Sequence, residues 1–248
     1  FLNHLAEVTH IWTQDKKISE HVAKAARISK VCDLLTDMIG EVDAVLLARD
    51  DAENHYYYAK PFIEKGIPIY VDKPFALNLE EANRMWNLAK NNNQIFTCST
   101  VQFAREFQLS TVDKTRIGEI KAIWATVPNS WEKYAVHIIE PVLNLLPERG
   151  KLIEIHRLPL GCNDLKGVQV KWSSGVIVQF QTTGQLPIPL SINIQGVKEF
   201  RELKFEDSFY AIKSTLNRFI DVVNEKETNI PRSLTQEMIT ILEAGRNA

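Results

Sequence analysis

Cysteine is scarce: Cys32, Cys98 and Cys162 stand far apart in 248 residues, and no two form a CxxC pair. That spacing excludes a disulfide framework and a cysteine zinc site, and it predicts a reducing, cytoplasmic setting. An excess of one charge is also missing. Lysine and arginine total 29 against 31 acidic residues, a formal net charge of -2 with the signs mixed. No nucleic-acid or anionic-membrane partner is expected from such a surface. No apolar run approaches the roughly 20 residues of a membrane span. His4, His10, His21 and His156 lack partners at metal-ligand spacing, so they read as structural and no metal is expected. The chain begins at Phe1 rather than Met, inside an amphipathic pattern (Phe1, Leu2, Leu5), and the reading expects residues upstream.

What is present is an ordinary globular composition, 45 % apolar and 24 % charged, with two grammars in succession. Over residues 1–100, short apolar runs alternate with helical periodicity. Residues 1–6 read as a helix end, 8–12 as a strand, 18–28 and 33–38 as helices, and 42–48 as a buried parallel strand. Residues 51–65 read as a helix that contains Pro61 and ends at Gly66, and 67–71, 78–91 and 95–99 follow as strand, helix and strand. Such alternation predicts right-handed βαβ units and a Rossmann-like, doubly wound parallel sheet.

Beyond residue 100 the period changes. A strand at 119–127 and a helix at 134–146 (with Pro141 inside) precede five runs of mostly period-two alternation: 152–158, 168–172, 176–182, 190–195 and 199–205. Ser173-Ser174-Gly175 reads as a hairpin turn. Helices at 210–224 and 233–245 close the chain, the second with a capping box from Ser233 to Gln236. The expectation is an α/β fold of two domains. Residues 1–100 form the nucleotide-binding type, and 101–248 form an α+β domain with a large, mostly antiparallel open sheet, with 231–248 packing back on the first.

The organising stretch is Ile69-Tyr70-Val71-Asp72-Lys73-Pro74-Phe75. Pro74 biases Lys73 toward an extended backbone. Lys73 is thereby held at the carboxyl end of a strand, where open α/β sheets bind ligands. Asp43-Ala44-Val45-Leu46-Leu47 with Asn54-His55 precedes it, along with Glu64-Lys65-Gly66-Ile67-Pro68. Ile117-Gly118-Glu119-Ile120, Tyr134-Ala135-Val136-His137-Ile138-Ile139-Glu140-Pro141 and the closing helix follow. In this order the stretches resemble the glucose–fructose oxidoreductase / inositol dehydrogenase (Gfo/Idh/MocA) family, which usually carries Glu-Lys-Pro where this chain has Asp-Lys-Pro.

The resemblance implies an enzyme that uses NAD or NADP to move a hydride to or from a hydroxyl or carbonyl carbon of a sugar, cyclitol or related small molecule. It also implies a homodimer or homotetramer through the open sheet. Two departures favour a second reading, a catalytically inactive dinucleotide sensor, regulator or partner subunit. The glycine-rich phosphate loop GxGxxG is absent from the sequence, and it either lies upstream of Phe1 or is lacking. Where the family often has Asp one turn before its histidine, this chain has Lys133.

By resemblance Lys73 touches nicotinamide ribose and substrate hydroxyl, and its ammonium stabilises developing alkoxide charge. His137 is the expected general acid/base, because imidazole titrates near neutrality. Lys133 either binds an anionic substrate group or lies on a solvated face, and Glu140 is either functional or a structural partner of the histidine. Thr13 and Gln14 follow the strand where an acid would grip a ribose 2′-OH; a hydroxyl there, with Lys16 and Lys17, leans toward NADP. Arg49 either meets a phosphate or adenine or fills that site. His55, Asp72 and Pro74 complete the expected cofactor contacts, although Asp72 also suits a local cap.

Overall fold

A computed structural model describes residues 5–162 and 164–246. The expected helix end at 1–6 falls mostly outside them, and residues 5 and 6 are not helical. The first half alternates β1 (His10–Ile11), α1 (Lys16–Ala26), β2 (Lys30–Val31), β3 (Val45–Leu47), α2 (His55–Glu64), β4 (Ile69–Val71), α3 (Leu79–Leu88) and β5 (Ile95–Phe96). Every strand pair here is parallel, but the strands form two sheets, β1-β2 and β3-β4-β5, instead of one. Strands are shorter than their apolar runs because Val42 and Ile67 pack beside the core without joining a ladder.

Local chemistry explains the helix ends. The Asp15 side chain accepts from Lys17 N–H and starts α1. The Asn78 side chain accepts from Glu81 N–H at 2.9 Å, while Glu81 accepts from Leu77 N–H, and together they cap α3. Gly66, at φ +81°, turns the chain from α2 into β4. The predicted helix at 51–65 begins instead as a 3-10 turn over Ala52–Asn54, and α2 absorbs Pro61 without ending.

The second half opens with α4 (Thr111–Ile117), a helix the periodicity did not reveal. It is set by a reciprocal capping box between Ser110 and Asp113. There follow β6 (Ile120–Val127), α5 (Trp131–Tyr134), α6 (Val136–Leu145), β7 (Leu152–Arg157), β8 (Lys166–Trp172), β9 (Ile177–Thr182), β10 (Ser191–Gly196), β11 (Phe200–Lys204), α7 (Ser208–Val223) and α8 (Arg232–Arg246). The helix expected at 134–146 is α6, and the short α5 precedes it across Ala135. Because α8 starts at Arg232, Ser233 lies in its first turn and is not the cap.

The large sheet runs β11-β10-β6-β9-β8-β7. Its β6–β9 pair is parallel, so the sheet is mixed, with four antiparallel pairs around that one. The Ser173-Ser174-Gly175 hairpin stands where expected, with Gly175 at φ +89°. Ile123, Ala125, Val168, Val170, Val178, Phe180, Ile192 and Ile194 are fully buried on the inner face, against α6 and α8. The outer face carries a row in register across all six strands: Glu202, Asn193, Trp124, Gln179, Gln169 and His156. Arg246 of α8 donates to Leu77 O at 2.8 Å, tying the closing helix to the first half. Among the described residues, no helix is long and apolar enough to cross a membrane, and no cluster of histidine, cysteine and acidic residues could hold a metal.

Candidate active site

Three parallel strands end on one edge, and each delivers a polar residue there: Arg49 and Asp50 after β3, Asp72 and Lys73 after β4, Ser99 after β5. The start of α6 faces them with His137. The Lys73–Pro74 peptide bond is cis. Asp72 accepts its neighbour's N–H at 2.8 Å, so it caps locally, and burial raises its carboxyl above the usual range. The Lys73 ammonium lies 5.8 Å from the centroid of the Tyr134 ring, and the same ring sits edge-on to His137 at 5.6 Å. Tyr134 therefore neighbours both expected catalytic groups.

His137 is held from below. Its Nδ1 lies 2.6 Å from Ser99 Oγ. The Ser99 N–H donates to Glu140 Oε2, also at 2.6 Å. Glu140 is 2 % exposed, and burial pushes its carboxyl up to about 8, although the Ser99 N–H pulls the other way. The imidazole behaves oppositely. Burial, with the Lys73 charge beside it, pushes His137 down to about 3. Both shifts bear on the near-neutral imidazole expected of His137: burial favours its neutral ring and, at Glu140, the protonated carboxyl.

This pair predicts a stability profile. An unfolded chain ionises Glu140 above its ordinary 4.5, whereas the folded chain does so only near 8. Stability from that group therefore falls as pH rises through this window. For His137 the unfolded chain takes up a proton below 6.5 and the folded chain only near 3, so stability falls as pH drops. The two slopes oppose each other between pH 4.5 and 6.5, and only the Glu140 slope remains from 6.5 to 8. Urea unfolding should show a loss of about 2 kcal/mol across that last interval, at about 1.4 kcal/mol per pH unit. Glu140→Gln should flatten it; an equal decline in the variant would assign the slope elsewhere.

The other expected contacts have partners within the chain. Thr13 turns its hydroxyl to Asp15 O at 2.6 Å and its N–H to Ser19 Oγ, serving the start of α1. Gln14 accepts from Arg49 at 3.1 Å and donates to the Tyr58 hydroxyl at 2.7 Å. Arg49 makes a two-pronged pair with Asp51, at 2.8 and 2.5 Å, and stacks 4.1 Å over Tyr58. The pair holds Asp51 down to about 2. His55, expected against the cofactor, is instead completely buried. Its Nε2 lies 2.8 Å from Arg49 O and its Nδ1 3.1 Å from Phe75 O, so it ties the two loops together. Pro74 is buried. Lys133 reaches across from α5 to Asp50 at 2.8 Å, and that ammonium lowers the Asp50 carboxyl. Sequence reasoning missed Ser99, Tyr134 and the role of Asp50. Their one legible signal is position: Ser99 and Asp50 lie just past strands that neighbour β4.

A family model described as "Oxidoreductase family, NAD-binding Rossmann fold" matches residues 2–100. Solved structures of similar fold include GenD2 from gentamicin A biosynthesis in complex with NAD, with TM-score 0.80 and 14 % identity over 97 % of this chain and 86 % of that one. An oxidoreductase from Thermotoga maritima matches with TM-score 0.80 and 16 % identity, covering 96 % and 86 %. The myo-inositol 2-dehydrogenase from Lactobacillus plantarum matches with TM-score 0.76 and 14 % identity, covering 98 % and 89 %. No curated protein matches by sequence. At these identities the structures speak for the fold.

Proposed function

We propose, from the premise that residues 2–100 belong to the GFO_IDH_MocA oxidoreductase family with its NAD-binding Rossmann fold, that the protein is an NAD(P)-dependent oxidoreductase acting at a hydroxyl or carbonyl carbon of a sugar, cyclitol or related small molecule. The observation that carries this reading is the placing of Lys73, at the carboxyl end of β4, beside Tyr134 and His137. The fit to a dinucleotide is at its nicotinamide end, where Lys73, Asp72 and the buried Pro74 present a strand terminus. A glycine-rich cradle for the pyrophosphate is not among the described residues. Bound there, a nicotinamide dinucleotide supplies a hydride acceptor or donor.

The residues of the chain do the rest. Lys73 offers an ammonium to the oxygen on the reacting carbon, where negative charge grows as a carbonyl is reduced. His137 presents a second polar group to that oxygen, Tyr134 packs beside both groups, and the apolar α6 keeps water from the back of the ring. Lys133 sits one turn before His137, half exposed and paired with Asp50. A substrate carboxylate or phosphate would compete with Asp50 for it, so an acidic sugar or polyol is the favoured class. A homodimer or homotetramer through the open sheet, in the cytoplasm, completes the proposal, and solution scattering that finds a monomer contradicts that part.

The test is a panel of neutral and acidic sugars and cyclitols with NAD and NADP, read by nicotinamide absorbance. Turnover on an acidic member, with KM raised about tenfold by Lys133→Ala for loss of about 1.4 kcal/mol, supports the reading. Nucleotide binding without turnover on any member favours the second reading, a sensor or partner subunit. The observation behind that alternative is the engagement of Arg49 and Lys133 by their own aspartates.

A further inference from the structure

We propose that Ser99 is a positioning residue that makes His137 a hydrogen-bond donor toward the substrate, and that Glu140 holds Ser99 in place to do so. The identity of the target oxygen rests on the oxidoreductase reading; the hydrogen-bond chain stands without it.

A serine hydroxyl has one hydrogen and two lone pairs. Val101 N–H donates to Ser99 Oγ at 3.1 Å, which uses one lone pair. The remaining partner of Oγ among the described residues is His137 Nδ1 at 2.6 Å. The hydroxyl hydrogen therefore has one acceptor, the imidazole nitrogen. When Oγ–H donates to Nδ1, the neutral ring carries its own proton on Nε2. Nε2 makes no hydrogen bond with the described residues and is not sealed from solvent, so it is the nitrogen left to the cleft. The Tyr134 ring neighbours both the His137 ring and the Lys73 ammonium, so on the oxidoreductase reading Nε2–H joins Lys73 as a second donor for a developing oxyanion.

The groups around the ring favour this state. Lys73 bears on it from the end of β4, and among the described residues no carboxylate meets either nitrogen. A carboxylate at Nδ1 would place the proton there and leave Nε2 as an acceptor; Ser99 does the reverse. Glu140, one turn further along α6, spends Oε2 on the Ser99 N–H at 2.6 Å and on Gln102 Nε2 at 3.4 Å. Gln102 is in turn held by Asn144 at 2.9 Å. The neighbouring Tyr70 hydroxyl donates to Cys98 O, and burial raises both that hydroxyl and the Cys98 thiol, so neither of these two adds a charge. Ser99 is consequently fixed at both its backbone and its side chain.

The experiment is nitrogen NMR of the His137 ring in the nucleotide-free protein between pH 4 and 8, with the resonance assigned by His137→Gln. The wild type should show a neutral ring protonated on Nε2 throughout. Ser99→Ala should shift the ring toward the other tautomer, and Ser99→Thr, which keeps a hydroxyl, should restore it. With a turned-over substrate, Ser99→Ala should lower kcat about 10–100-fold with KM within threefold, and Ser99→Thr should recover most of it. A wild-type ring protonated on Nδ1, or a tautomer indifferent to Ser99→Ala, would overturn the proposal. The expected tautomers without turnover on any substrate would sustain the Ser99 link and refute the oxidoreductase reading instead.

Discussion

Replacement of Lys73 by methionine is expected to lower kcat by about 100- to 1,000-fold, the usual loss for removing one donor at a developing oxyanion. Methionine keeps the length and the apolar stem, and Asp72 continues to cap the turn through the backbone N–H. The loss is therefore electrostatic. A second readout follows from the same charge. Lys73 helps to hold His137 down to about 3, so the imidazole should take up a proton at a higher pH in the variant. Burial alone must account for whatever depression remains. Nicotinamide affinity should weaken only several-fold, since an ammonium is a small part of the contact a dinucleotide makes. Unchanged turnover, or a His137 titration indifferent to the substitution, would remove Lys73 from the centre of the site.

The second large effect concerns how the helix bearing His137 is seated. Trp131 begins α5, six residues before the histidine, and is completely buried. Its Nε1–H donates to Leu242 O at 2.7 Å, so α8 lies flat on the indole. Contact is close enough that a Cβ on Gly245 would stand 2.2 Å from Trp131 Cε2. Trp131→Ala should cost about 3–5 kcal/mol, the transfer and cavity terms of a buried tryptophan. Gly245→Ala should cost about 1–3 kcal/mol from overpacking against a ring that cannot yield. Urea unfolding measures both. In Trp131→Ala the cavity accepts the new methyl, so adding Gly245→Ala to it should cost less than adding it to the wild type. Strict additivity would mean that the helix is not seated on this ring.

Lys73 was legible because its cues are local: an apolar run, then a proline, then the Asn78 cap. The parallel alternation of the first half was legible for the same reason, through period and turn residues. The parallel β6–β9 pair at the centre of the large sheet was not, because pairing between strands so far apart in the chain leaves no trace in either strand's own pattern. The helix α4 was overlooked for want of a long apolar stripe, though its Ser110 and Asp113 signal was present.

At the site, His137 was legible as a candidate, but the partners of its ring were not. Ser99 lies 38 residues from it and Glu140 lies 41 from Ser99; only the fold brings them together. Burial then moves the imidazole and the carboxyl in opposite directions, and a sequence does not display burial of a single nitrogen. Arg49 and His55 show the converse. Both follow strand ends, and the fold pairs Arg49 with Asp51 and Tyr58 and buries His55 between two carbonyl groups, partners that position alone does not display.

The most direct measurement is a titration of the full-length protein with NADH and NADPH, followed by nicotinamide fluorescence in the wild type and in Lys73→Met. Saturable binding of at least one nucleotide is expected, weakened several-fold in the variant. Absence of binding by both, with the oxidised forms equally inert, would mean that the fold has been kept without its chemistry.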